Sequence, residues 1–333
     1  MTKSIRVIQY GLGPIGSAVA RLIADRPGLE LVAAVDVDPK KAGQDVGDVI
    51  GLGRKLGFAV VPKLAQVGSK AEVVAHCTNS YIDQFKGQMI EILGAGYDLV
   101  STSEELSFPT PPHQAAAAEI DAAAKKAGKS VLGTGVNPGF LMDALPLFLT
   151  GICQKVDRIA VTRTMNASKR RGPFQAKIGS GMTVEAFMAK MAEGRMGHVG
   201  LPESMNMVFD TLGKTLVKYE STVEPVVAER PIHTNFFDVQ PGLVCGLKQV
   251  ARGYDENGEF MTLTFKAFLE SEIDHDLVEI TGTPNLTVKL EGTNGDLATA
   301  AIAVNAIRRV FEAAPGLVTM RDLPIVTAWS TLR

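Results

Sequence analysis

Gly11-Leu12-Gly13-Pro14-Ile15-Gly16 follows directly on the apolar run Ile5 to Tyr10 and opens into a stretch of helical periodicity, Ile15 to Asp25. A second apolar run, Leu29 to Asp36, ends on an acid 20 residues past Gly16. Strand, glycine turn, helix, strand and acid in this order make up the dinucleotide-binding fingerprint. Gly11 permits the tight turn, Gly13 lets backbone approach a pyrophosphate, and Gly16 lets helix and strand touch. The helix N-terminus attracts the anion, and Pro14 loses nothing in a first helical turn. Leu12 and Ile15 complete the set of expected cofactor contacts. Asp36 would accept hydrogen bonds from ribose hydroxyls and repel a 2′-phosphate, which favours NAD; Lys40 and Lys41 lie close enough to neutralise such a phosphate, so NADP is expected to be accepted as well.

Outward from that stretch, short apolar runs alternate with helical ones as far as Pro138, the pattern of a parallel sheet with crossover helices. The strands read as Ile5 to Tyr10, Leu29 to Asp36, Ala59 to Val61, Val73 to Cys77, Asp98 to Ser101 and Ser130 to Gly133. Helices fill Ile15 to Asp25, Tyr81 to Ala95 and His113 to Ala127. After Phe140 the texture changes to runs of β-branched and alternating residues: Arg158 to Met165, Leu216 to Val227, Leu243 to Tyr254, Phe260 to Leu269 and Val278 to Leu290. These predict a largely antiparallel sheet, with a hairpin loop at Asp255-Glu256-Asn257-Gly258 and helices over Met182 to Ala192 and Glu203 to Leu212. Asp296 to Ala313 reads as a long helix, acidic at its start and basic (Arg308, Arg309) at its end. The expected fold class is α/β: a Rossmann-type doubly wound parallel sheet plus an α+β domain with a largely antiparallel sheet. Residues 1–138 form the dinucleotide-binding domain, with 296–333 packing back on it, and 139–295 form the substrate-binding and dimerisation domain.

The 333 residues are 46% hydrophobic and 21% charged, with 34 Lys and Arg against 36 Asp and Glu, for a net charge of -2. No basic field is available to hold nucleic acid or an anionic membrane, and no apolar stretch is long enough to span a bilayer. A small-molecule partner is expected. Cys77, Cys153 and Cys245 form no CxxC pair, and His76, His113, His198, His233 and His275 show no metal-ligand spacing, so neither a disulfide framework nor a metal is expected and a cytoplasmic setting fits. The amino-terminal Met-Thr-Lys-Ser-Ile-Arg-Val-Ile enters a strand at once, which leaves no room for a secretory signal. The open antiparallel sheet needs cover on its outer face, so a homodimer is expected.

Ligands of open parallel sheets lie beyond the carboxyl ends of the strands. There the sequence places Thr78-Asn79-Ser80, then Thr102-Ser103-Glu104-Glu105-Leu106-Ser107-Phe108-Pro109, then Gly135-Val136-Asn137-Pro138-Gly139-Phe140. Thr78, Asn79 and Asn137 are candidates to line the cofactor, although Thr78-Asn79-Ser80 reads equally as a helix cap. Glu104 and Glu105 are candidates for proton transfer, since burial in a cofactor cleft raises a carboxyl pKa toward neutrality; surface solvation or helix capping is the alternative.

These segments, together with Arg170-Arg171-Gly172-Pro173-Phe174-Gln175-Ala176-Lys177-Ile178-Gly179, Gly197-His198-Val199-Gly200-Leu201-Pro202-Glu203-Ser204 and Gly295-Asp296-Leu297-Ala298-Thr299-Ala300, resemble in content and order the 2,4-diaminopentanoate dehydrogenases and related native amine dehydrogenases, whose first domain is similar to that of dihydrodipicolinate reductase. The resemblance implies reversible oxidative deamination, in which an amine and NAD(P)+ give a carbonyl compound, ammonia and NAD(P)H. It places the catalytic glutamate on the Glu104-Glu105 pair, with Glu104 favoured. Arg163, Asn166, Gln175 and His198 are the polar candidates for the substrate wall, and Phe140 and Phe174 the apolar ones. Arg163 shares a strand face with Ile159 and Val161, so an ion pair inside the domain competes with substrate contact. Other dehydrogenases with this first domain, acting on dihydrodipicolinate, homoserine or aspartate, and a non-catalytic NAD sensor remain as alternatives.

Overall fold

A computed structural model of the chain describes residues 4–194 and 196–329. Residues 1–3 of the amino-terminal run and 330–333 of the carboxyl-terminal segment lie outside the described residues. The first part of the chain runs β1 (Ile5–Tyr10), α1 (Pro14–Asp25), β2 (Leu29–Val35), the short α2 (Val46–Val49), β3 (Val73–His76), α3 (Ile82–Gly94), β4 (Asp98–Ser101), α4 (Gln114–Ala127) and β5 (Ser130–Gly133). The strand read at Ala59 to Val61 does not form. Its residues make only isolated bridges, Val61 with Val35 and Ala59 with Asp45, because Gly51, Gly53 and Gly57, all at positive φ, coil the preceding chain and Pro62 has no amide to extend a ladder.

The middle of the chain supplies α5 (Ala144–Thr150), β6 (Lys155–Asn166), α6 (Gly172–Lys177), α7 (Val184–Ala192), α8 (Leu201–Thr211), β7 (Lys218–Val227), the two-residue β8 (Ile232–His233) and β9 (Asp238–Val239), β10 (Val244–Asp255), β11 (Gly258–Phe268), β12 (His275–Thr283) and β13 (Leu286–Glu291). Six of these strands form a mixed sheet in the order β13-β12-β6-β11-β10-β7. Its pairs are antiparallel except the central β6–β11. The run Val278 to Leu290 is two strands, not one: the chain reverses around Pro284, and Asn285 Oδ1 accepts the Gly282 amide at 2.9 Å. The β10–β11 turn falls on Asp255 to Gly258, where Asp255 Oδ1 accepts the Asn257 amide at 2.8 Å. Phe209 of α8 meets Phe260 of β11 edge-on, with ring centres 5.3 Å apart.

The chain then returns with α9 (Gly295–Phe311) and β14 (Gly316–Val318), the latter a sixth strand too short to be read from its sequence. The parallel sheet runs β14-β5-β4-β3-β1-β2. Period two sends Val7 of β1 to one face and Ile8 to the other, both fully buried. On the Val7 side pack Val19 and Ile23 of α1 with Val304, Ile307 and Val310 of α9; on the Ile8 side pack Phe85 and Ile92 of α3 with Ile120 of α4. Two compact units result, one holding the described residues up to Phe140 and from Asn294 onward, the other Leu141–Thr293.

Helix α9 begins sharply because Asn294 Oδ1 accepts the amides of Asp296 and Leu297, each at 3.1 Å. Asn294→Ala leaves both donors without that acceptor and should cost about 1 kcal/mol in urea unfolding; an unchanged midpoint would mean that α9 does not depend on this cap.

Candidate active site

The glycine turn owes its shape to two close approaches. Gly11 sits at φ 89°, donates its amide to Val35 O at 2.7 Å, and presses against the Cys77 carbonyl where a Cβ would stand. Gly16, one turn into α1, rests on the Gly11 carbonyl so closely that a Cβ would overlap it. Gln9 Nε2 donates to that same carbonyl at 2.9 Å. Gly13 is different: nothing lies within 4 Å of the position a Cβ would take. The helix N-terminus therefore meets open space at the residue where an anion must come nearest, which fits the pyrophosphate of a dinucleotide. Pro14 is exposed and Ile15 half-buried. The Leu12 side chain packs in the core, and its amide donates to Asp36 Oδ2 at 2.7 Å.

Asp36 follows β2 and gathers donors. The Asp38 amide reaches Oδ1 at 2.9 Å and Lys41 Nζ reaches Oδ2 at 2.9 Å. Burial alone would raise its pKa, but the Asp38 and Leu12 amides and the Lys41 ammonium outweigh it and lower the pKa, so the group stays ionised. Lys41 is thus part of this site rather than only a solvated residue; Lys40 is exposed.

Beyond β3 and β4 the two loops are tied together. Ser103 Oγ donates to Asn79 O at 2.5 Å, the Glu105 amide donates to Ser80 O at 3.3 Å, and Glu105 Oε2 accepts the Ile82 amide at 2.7 Å. Glu105 thereby caps α3 and also lies 3.6 Å from His113 Nε2. Asn79 is likewise a turn former: its Oδ1 accepts the Tyr81 amide at 3.0 Å and its Nδ2 donates to Gln84 Oε1. Glu104 opens a short helical turn over Glu104–Leu106; it is half-buried, and its carbonyl accepts the amide and hydroxyl of Ser107. Leu106, fully buried, anchors the turn beneath Gly133, where a Cβ would come within 2.5 Å of the Leu106 carbonyl carbon. Asn137 is buried in the loop after β5, which is fixed by the Val136 amide donating to Thr299 Oγ1 at 3.3 Å; Phe140, which closes it, is half-buried. The glycine turn, Asp36, Thr78, Asn79, the glutamate pair and Asn137 therefore all lie at the carboxyl ends of one sheet's strands.

In the other unit the expected wall residues divide. Arg163 is buried on the face it shares with Ile159 and Val161. Its guanidinium lies 3.6 Å from Asp276 and donates to Thr293 O at 3.0 Å. Burial lowers the pKa of Arg163 and raises that of Asp276, each partly opposed by the partner's charge. Asn166 Oδ1 caps the turn at Ser168 and its Nδ2 donates to Ser271 O. Gln175, fully buried, donates to Ser168 O and Arg170 O and accepts from Thr234 Oγ1. All three side chains brace their own unit. Phe174 is half-buried under the Arg170 guanidinium, 4.3 Å from its ring centre. The His198 ring is half-buried and stacks on Phe265 at 4.7 Å, with the planes 13° apart.

Sequence reasoning passed over His76. It ends β3 fully buried, with Nδ1 2.9 Å from Ser101 Oγ and Nε2 2.9 Å from both Gln88 Oε1 and Thr78 Oγ1. The available signal was a histidine closing an otherwise apolar strand.

Two family models match the chain. Residues 140–332 fit the 2,4-diaminopentanoate dehydrogenase C-terminal domain, and residues 5–84 fit the dihydrodipicolinate reductase N-terminus. The chain belongs to the 2,4-diaminopentanoate dehydrogenase family. It is 32% identical to the 2,4-diaminopentanoate dehydrogenase of Acetoanaerobium sticklandii, with 98% of this chain and 95% of that one aligned, and 23% identical to an amine dehydrogenase of Streptomyces virginiae over 96% of each chain. Among solved structures, the amine dehydrogenase of Mycobacterium smegmatis superposes with a TM-score of 0.88 at 26% identity over 99% of both chains. The family is one of oxidoreductases, and the match to the dihydrodipicolinate reductase N-terminus falls on the unit that holds the parallel sheet and the glycine turn.

Burial lowers the His76 pKa to about 4, the Gln88 hydrogen bond opposing it only in part. The unfolded chain takes up this proton near 6.5, so between those values it binds more protons than the folded chain, and stability falls as pH drops through the window. From pH 7 to pH 5 the loss is about 2 kcal/mol from this group. Urea melts of His76→Gln should lack that component; equal losses in both chains would mean that the imidazole titrates normally.

Proposed function

We propose that this protein is an NAD(P)-dependent amine dehydrogenase that interconverts an amine with the corresponding carbonyl compound and ammonia, with Glu104 as its catalytic carboxylate. The observation that carries the reading is that the dinucleotide cradle and the Glu104 turn share the strand ends of one sheet, while the neighbouring Glu105 is engaged in capping α3. The bound nicotinamide supplies the hydride acceptor for deamination and the donor for the reverse. The Gly11 to Gly16 turn and Asp36 hold and orient the dinucleotide. In the aminating direction Glu104 takes a proton from ammonium and passes it to the carbonyl oxygen as the freed ammonia adds, then takes a second proton from the nitrogen of the adduct and passes it to the hydroxyl that leaves as water, and as a carboxylate it stabilises the iminium cation. A basic side chain at that position would repel the same cation.

The substrate class is an amine whose carbonyl partner is either a small amino-oxo acid of the 2-amino-4-oxopentanoate type or a simple ketone or aldehyde. Oxidation of NADH and NADPH with 2-amino-4-oxopentanoate, cyclohexanone and a short aldehyde, each with and without ammonium at alkaline pH, tests the reading. Ammonium-dependent oxidation is expected with at least one carbonyl. Glu104→Ala should lower kcat about 100-fold or more, whereas Glu105→Ala should mainly lower stability, by about 1 kcal/mol. Turnover in Glu104→Ala within about tenfold of the parent would contradict the assignment.

NAD is the preferred cofactor in this reading and NADP is accepted, because Lys41 shields the Asp36 charge that would otherwise repel a 2′-phosphate. Lys41→Ala should raise KM for NADPH relative to NADH by about tenfold, the worth of one charge-assisted contact; parallel changes for both cofactors would remove Lys41 from the selectivity.

A further inference from the structure

The end of β3 and the end of β4 carry a chain of buried polar side chains that neither cofactor binding nor proton transfer uses directly. Parallel pairing sets His76 beside Ser101, and His76 Nδ1 lies 2.9 Å from Ser101 Oγ. Ser101 Oγ accepts the Ser103 amide at 3.1 Å and donates to Ser103 Oγ at 3.0 Å. The Ser103 hydroxyl in turn faces a carbonyl, Asn79 O, to which it can only donate. On its other side the imidazole meets Gln88 of α3 and Thr78. His76, Ser101 and Ser103 are each at most 1% exposed. The Thr102 amide donates to the His76 carbonyl at 3.0 Å, closing the loop onto the strand. Ser103 immediately precedes Glu104, and Thr78 and Asn79 are the residues whose backbone follows β3 toward the cofactor side. One imidazole thus joins α3, the β3 loop and the β4 turn.

We propose that His76 is a positioning residue: through Ser101 and Ser103 it fixes the Glu104 turn against the Thr78-Asn79 loop, setting where the carboxylate stands relative to substrate. The proposal rests on the assignment of Glu104 made above. An imidazole suits the task because its two nitrogens lie on opposite edges of a rigid ring: the Ser101 hydrogen goes to Ser103, so Nδ1–H donates to Ser101 Oγ while Nε2 accepts from the Thr78 hydroxyl. Burial also keeps it uncharged at working pH, so its hydrogen bonds do not change across the range in which the enzyme is expected to turn over. A displacement of the turn by about 1 Å is enough to cost about 100-fold in rate when the displaced group is the proton carrier.

The test compares the parent enzyme with His76→Phe, which keeps a ring and loses both nitrogens; His76→Gln, which keeps a donor and an acceptor; and Ser103→Ala, which removes only the last link and does not disturb the strand core. Turnover is expressed per NADH-binding site, counted by NADH fluorescence, so that misfolded protein does not enter the rate. His76→Phe and Ser103→Ala should lower kcat at least about tenfold with the NADH dissociation constant changed less than about threefold, and His76→Gln should recover most of the loss. In parallel, hydrogen exchange of the amides from Thr102 to Ser107 should quicken in His76→Phe and Ser103→Ala while the rest of the sheet is unchanged. A kcat per site equal to the parent's in Ser103→Ala, or a fall in NADH affinity matching the fall in kcat, overturns the proposal. If the parent enzyme shows no ammonium-dependent turnover, the function proposed above has failed, and exchange alone decides the relay: unaltered exchange from Thr102 to Ser107 in both variants overturns it, and faster exchange confined to that turn upholds it.

Discussion

Helix α1 can start where it does because Gly16 has no side chain. Its Cα rests on the Gly11 carbonyl, and that contact fixes the angle at which the helix leaves β1. The direction of α1 determines where Val19 and Ile23 meet the sheet and how α9 lies beside them. It also leaves the first-turn amides aimed at the space in front of Gly13. A single methyl group at Gly16 would force the helix off the turn, and the cost would appear in the apolar layer as well as in cofactor binding. Sheet packing and anion recognition are thus two results of one steric limit.

A second constraint governs the polar interior. Each unit buries groups that prefer water, and each pays with internal partners. Around His76 in the first unit the network is neutral: His76, Ser101 and Ser103 exchange hydrogen bonds over short distances, so none of these three needs a desolvated charge. In the second it is ionic: Arg163 and Asp276 sit opposite each other on β6 and β12, and burial works against the charge of both. Such a pair contributes little net stability, but removing either partner leaves a buried charge without compensation. The neutral network adjoins the strand ends that carry chemistry, where fixed positions matter more than strong fields.

The legible features were those that depend on local spacing. The glycine turn, the acid ending the second strand, the capped helices and the switch from crossover helices to antiparallel ribbons all follow from residues within a few turns of one another. Arg163 was legible in the same sense: alternation with Ile159 and Val161 put it on the inner face, and the structure finds an ion pair there. The features that escaped depend on which strands become neighbours. The meeting of His76 with Ser101 requires the β3–β4 register, which no spacing within either strand encodes. That Glu105 reaches the Ile82 amide and caps α3 depends on where the first turn of α3 falls relative to the β4 loop. The strand at Gly316–Val318 was invisible because three residues carry no period; its apolar pattern acquires meaning only beside β5.

That last strand has a kinetic consequence. Gly316 pairs with Ser130, so more than half the sequence lies between the partners at one edge of the parallel sheet. During synthesis from the amino end, the strands β1 to β5 emerge long before α9 and β14, and the apolar layer formed with Val304, Ile307 and Val310 cannot close in the interval. The intervening unit, all of whose strands are contiguous in the chain, has no such wait. The amino-terminal half is therefore the later of the two to be completed, and its exposed β5 edge and uncovered apolar face are the surfaces that need protection until the carboxyl end arrives.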